Sequence, residues 1–211
     1  MNIIILNPKQ TTRSEPESVS SLIEIIKKIK PDADCRASSN LLAWKYADAI
    51  IFPSISLHKS NIGESESQLN ALAVLLSEQN IPCLAIGESS AFLMEEIHNS
   101  KKYRGLGLFK GVSKQLTMKS GWEHVSPKPE YTTADSTHIF SKMKKFKAFF
   151  DSQYVCVPED RKVIAATVEN GGKETTCALH KDNVVAVSFL PEKSGDVGRV
   201  ILKNFVNNMK K

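Results

Sequence analysis

The 211 residues contain no Cys-x-x-Cys pair; Cys35, Cys83, Cys156 and Cys177 lie far apart. The five histidines do not pair with them at ligand spacing, so the sequence implies no metal centre. Three of the four cysteines fall in apolar, strand-like stretches, where a thiol usually serves as a small buried hydrophobe. No apolar segment approaches membrane-spanning length. The start, Met1 to Leu6, is too short for a secretory leader and has no basic leader or cleavage site. The expectation is a cytoplasmic, reduced protein with no membrane contact. Neither an internal repeat nor a low-complexity tract is present. Charge of one sign does not dominate: 28 Lys and Arg stand against 23 Asp and Glu, a formal net charge of +5. The densest basic run, Lys142 to Lys147, comes with no nucleic-acid motif and reads as a solvated face.

What is present is an alternation. Residues 3 to 6 form an aliphatic run suited to a central parallel strand. Val19, Leu22, Ile23, Ile26 and Ile29 fall on one helical face, and Pro31 stops that helix. Ala49 to Phe52 reads as a second strand ending at Pro53, followed by a helix from about Glu66 to Glu78. Pro82 to Ile86 is a third strand ending at Gly87, and a helix is expected from about Ser90 to His98. Strand–helix alternation predicts a parallel sheet with helices on both faces. The second half changes character. Between Gly105 and Phe189, short β-rich runs are separated by turn signals such as Asn170-Gly171-Gly172 and Lys181-Asp182-Asn183. Ser194-Gly195-Asp196 opens a last helix with Val197, Val200, Ile201 and Phe205 on its buried side. One α/β domain over residues 1–211, with an antiparallel β extension, is the expectation.

Several motifs carry a resemblance. Phe189-Leu190-Pro191-Glu192-Lys193-Ser194 is similar to the end of class I glutamine amidotransferases, where Phe is followed by His-Pro-Glu-Lys-Ser. Within that class the chain resembles the glutaminase subunits of imidazole-glycerol-phosphate synthase. Gly105-Leu106-Gly107-Leu108 with Gly111 matches their Gly-Leu-Gly-Leu segment. Gly121-Trp122 matches their Gly-Trp-Asn, with Glu123 in place of asparagine. The run from Ile164 through Asn183 to Gly195 keeps their order and approximate spacing. The likeness covers most of residues 48 to 206. It implies a flavodoxin-like, mostly parallel sheet flanked by helices, a role in histidine biosynthesis and docking to a cyclase or other synthase subunit. It implies no cofactor and no nucleic acid; a homo-oligomer is the other assembly left open. The amino-terminal loop, Asn7-Pro8-Lys9-Gln10, does not fit.

The family mechanism needs a cysteine nucleophile on a sharp strand-to-helix elbow, a histidine base, a glutamate that orients it and a glycine-rich oxyanion loop. By the resemblance the nucleophile position is Gly87, the elbow glycine is Ser89 and the substrate-contacting glutamine is Ala91. The base position is Leu190, and of the triad only Glu192 is retained. The oxyanion loop, Pro-Gly-Val-Gly in the family, reads Pro53-Ser54-Ile55-Ser56. Neither glycine nor a hydrocarbon takes up a proton or attacks a carbonyl, so the expectation is an amidotransferase-like subunit without glutaminase activity. Trp122 and Lys193 would lie on the face that docks the partner. A serine hydrolase of the same fold with Ser89 as nucleophile is the alternative, from the near Gly-x-Ser-x-Gly spacing of Gly87 to Ala91. It lacks a family-placed base among His58, His124 and His180.

Overall fold

A run of consecutive aliphatic residues is stable only in a strand covered on both faces, and β1 (Asn2–Leu6) meets that condition with Ile3, Ile4 and Ile5 fully buried. In the computed structural model, which describes residues 1–7, 17–54, 66–98, 102–115, 120–134 and 138–208, β1 lies inside a nine-stranded sheet. Its parallel half runs β2 (Asp34–Ser38), β1, β3 (Ala49–Phe52), β4 (Cys83–Ile86) and β13 (Val184–Val187). From β13 the sheet continues antiparallel through β12 (Lys173–Lys181), β11 (Ile164–Asn170), β8 (Gly121–Pro127) and β9 (Phe146–Phe150). The parallel core with its antiparallel extension is the architecture expected from the sequence.

Helices cover both faces. On one, α1 (Glu17–Ile29) buries Val19, Leu22 and Ile26 beside the last helix, α5 (Gly195–Asn208). Glu17 in the first turn of α1 and Lys27 and Lys28 in the last complement its dipole. In α5 the buried side is Gly198, Ile201, Leu202, Phe205 and Val206; Val200, expected there, is 42% exposed, one residue off the stripe. The opposite face carries α2 (Leu41–Lys45), α3 (Glu66–Glu78) and α4 (Ser89–Phe92), with Trp44, Leu72, Leu76 and Phe92 in its core. Asn40 caps α2 by accepting the Leu42 N–H at 2.9 Å. All four cysteines lie buried in strands, and burial pushes the Cys35 thiol up to about 11 and those of Cys83 and Cys156 up to about 12.

The helix expected from Ser90 to His98 stops after Phe92. Met94–His98 is instead strand β5 of a second, four-stranded sheet ordered β10 (Tyr154–Pro158), β7 (Phe109–Gln115), β5, β6 (Lys102–Arg104). The reason lies in the glycine segment downstream. The N–H groups of Leu106, Gly105 and Gly107 donate to the carbonyls of Phe92, Glu95 and Met94, acceptors that a continuing helix would need. Gly105 allows this approach, because a Cβ there would sit 2.0 Å from the Met94 oxygen. The Asn170-Gly171-Gly172 signal behaves as read: Gly171 and Gly172 both have positive φ and close the β11–β12 hairpin.

Candidate functional site

Strand β4 ends at Ile86, and the chain reverses into α4 through Gly87, whose φ of +60° is the left-handed conformation an elbow requires. The residue that the resemblance gives to the nucleophile therefore occupies the apex of the turn. Ser89, two residues later, is already in the first turn of α4 and has no positive φ. The elbow is fastened to the exit of β3. Ser54 Oγ accepts the Glu88 N–H at 3.2 Å, Ser89 Oγ donates to the Pro53 carbonyl at 2.5 Å, and Ser90 Oγ donates to the Gly87 carbonyl at 2.7 Å.

No side chain projects from the apex, and the space one would need is occupied. A Cβ on Gly87 would lie 2.4 Å from Ser54 Oγ, 2.7 Å from Ser54 Cβ and 2.8 Å from Leu190 Cδ2. Gly87, Ser54 and Leu190 thus meet at the apex as a glycine, a serine hydroxyl and an isobutyl group. Ser89 is fully buried with its hydroxyl committed to Pro53, and Ala91 is fully buried. Ile55, Ser56, His58 and the loop residues Pro8, Lys9 and Gln10 lie outside the described residues.

Glu192 sits in a 3₁₀ turn, Pro191–Lys193, between Leu190 and α5. Both carboxyl oxygens are buried, and neither is hydrogen-bonded to another residue. Burial pushes its pKa up to about 7, against the weaker pull of its own backbone N–H and of the Lys193 charge. The turn is tied to β9 through one residue: Leu190 N–H donates to the Phe149 carbonyl at 2.8 Å, and Ser194 Oγ accepts the Phe149 N–H at 3.0 Å. Above Phe149 lies a surface aromatic group. Trp122, 53% exposed on β8, meets Phe149 edge-on with centroids 5.9 Å apart, and Lys193 Nζ stands 6.0 Å from the Phe149 centroid. Trp122 and Lys193 therefore share one surface, beside the altered elbow partner Leu190.

Of the histidines, His124 is exposed on β8. His180 is engaged elsewhere, in a ring cluster with His138 (4.7 Å) and Tyr131 (5.4 Å), where its Nε2 donates to the Asp182 carbonyl. Its neighbour Lys181 pairs with Val184, at the end of β13 away from the elbow. Burial, with the His180 charge second, pushes His138 down to about 3. This cluster was not legible beforehand, since His138 and His180 are 42 residues apart in sequence with no shared motif. Among the described residues no group of three or more His, Cys, Asp and Glu side chains is placed to hold a metal, and no helix is long and apolar enough to cross a membrane.

The imidazole glycerol phosphate synthase subunit HisH of Pyrococcus furiosus is 30% identical over 167 residues, covering 75% of this chain and 81% of that protein. The HisH subunit of Acinetobacter baylyi is 31% identical over 176 residues, covering 76% and 79%. The chain belongs to the HisH family. Its fold agrees with solved amidotransferase structures. A crystal structure of glutamine amidotransferase superposes with a TM-score of 0.68 at 15% identity, covering 97% of this chain and 98% of that one. The glutaminase domain of Trypanosoma brucei CTPS, solved with bound acivicin, gives 0.65 at 12% identity, covering 98% and 94%. No protein-family model matches the chain.

Proposed function

We propose that this chain is a HisH-type synthase subunit that docks to a cyclase partner without releasing ammonia from glutamine, a partner-binding or regulatory pseudoenzyme of histidine biosynthesis. The observation that carries this reading is the filled apex of the elbow. Gly87 supplies no nucleophile, and Ser54 and Leu190 stand where its side chain would be. A base cannot be recruited to Leu190, and among the described residues no imidazole is bonded to Glu192. The Trp122–Phe149–Lys193 surface supports the docking half of the reading, since an exposed, rigid aromatic beside a cation is the composition of an interface anchor.

Two assays test it. The purified chain, alone and mixed with a cyclase subunit, is expected to form no ammonium from glutamine and no covalent adduct with an electrophilic glutamine analogue. Ammonium release at a rate within about a thousandfold of a complete family member would overturn it. Fluorophosphonate should leave Ser89 unlabelled, because its hydroxyl is buried and bonded to Pro53.

A further inference from the structure

Glu192 is the one family catalytic group retained, and the described residues give it no task. Its two carboxyl oxygens are shut away from water and, among the described residues, are bonded to no other residue. The turn that carries it packs against α1, α5 and β9. The charged residues of those elements, Glu17, Glu24, Lys27 and Lys28, Asp196, Arg199 and Lys203, and Lys147, are exposed, and Asp196 pairs with Arg199. Among the described residues, Lys193 is the positive charge that acts on the carboxyl. An ionised carboxylate cannot stay in such a site without a donor or water. The turn cannot yield toward α5, because Gly198 already meets the Pro191 carbonyl so closely that a Cβ would lie 1.8 Å from it. On the other side Lys193 spans Phe149 and the Leu190 and Ser194 bonds hold the Phe149 backbone, so any shift of the turn is carried directly to Phe149.

We propose that the protonation state of Glu192 controls the Trp122–Phe149–Lys193 surface. Neutral, the carboxyl lets the turn seat against β9 with Lys193 over Phe149. Ionised, it draws the Lys193 ammonium, or water, toward itself and disturbs the aromatic pair. The inference rests on the docking reading for its consequence: the partner binds the neutral form, and its affinity falls by up to about tenfold per pH unit above pH 7.

The test follows Trp122 emission in a Trp44→Phe background, which leaves one tryptophan. Between about pH 5 and pH 9 the emission should shift with a midpoint near 7, matched by loss of the protonated-carboxyl stretch in difference infrared spectra. Glu192→Gln should abolish both changes; Lys193→Met should abolish the emission shift while sparing the infrared one. A flat titration, or one that survives Glu192→Gln, overturns the proposal. Complex formation with a cyclase subunit is measured separately at about pH 6. A failed complex beside an intact titration removes the docking reading, and an intact complex beside a flat titration removes the switch alone.

Discussion

Replacing Gly87 with cysteine would put a thiol at the position that the resemblance gives to the nucleophile, yet the structure makes it a destabilising change. A side chain at φ +60° costs about 1–3 kcal/mol, and overpacking against Ser54 and Leu190 adds about as much. Gly87→Cys alone is therefore expected to lose roughly 2–5 kcal/mol in urea unfolding and to gain no glutaminase activity. Adding Ser54→Gly and Leu190→His should recover at least ~1 kcal/mol of that loss, a non-additivity that a triple-mutant cycle reads directly. Glu192 gives a second residue-level expectation. Its folded pKa of about 7 lies above the ordinary carboxylate value of 4.5, so its contribution to stability is fully present below pH 4.5 and is lost as pH rises toward 7. Glu192→Gln should match the parent near pH 4.5 and exceed it by up to ~3 kcal/mol at pH 8, measured by denaturant unfolding at both values.

At the scale of elements, Gly198 sets helix propensity against packing. Alanine in a helix interior gains about 1 kcal/mol over glycine. Here the added methyl would sit 1.8 Å from the Pro191 carbonyl, so α5 would have to lift from the Pro191–Lys193 turn. Gly198→Ala is expected to lower stability by about 2–4 kcal/mol despite the better propensity, with the loss visible in thermal melts. The same contrast between local preference and distant partners explains which elements were legible. α1 could be read because Val19, Leu22 and Ile26 repeat at helical spacing, and β1, β3 and β4 because their aliphatic runs are continuous. β5 could not, because Met94–His98 is made a strand by carbonyl acceptors taken by Gly105, Leu106 and Gly107, about ten residues away. Strand β2, at the sheet edge with the polar sequence Asp34–Ser38, and the five-residue α2 carry too little periodicity to stand out. The strand end at Ile86 and the turn at Gly87 were legible because an aliphatic run stops at a glycine, whereas the occupation of the glycine's side-chain space by Leu190 is a three-dimensional fact that spacing does not contain.

At the scale of the whole molecule, the proposed scaffold role makes a specific expectation about the assembly. Trp122 exposes half of its surface to solvent, meets Phe149 edge-on and belongs to neither hydrophobic core, so removing it leaves both cores intact. Trp122→Ala should shift the melting temperature little while weakening the complex with a cyclase subunit at least ~10-fold, as truncation of an interface anchor does. Isothermal titration beside thermal melts of both proteins separates that result from simple unfolding. Turnover then distinguishes a scaffold from a working glutaminase. The complex should run on ammonium salts and show no stimulation by glutamine, because no group at Gly87 or Leu190 can open the amide. Trp122→Ala should remove any effect of this chain on the cyclase while leaving the ammonium-driven rate of the isolated cyclase untouched. A glutamine-driven rate lost with Trp122 would mean that docking creates a reactive centre from groups outside the described elbow. An ammonium-driven rate changed by docking and restored by Trp122→Ala locates the chain's contribution in contact, with the filled elbow serving as structure.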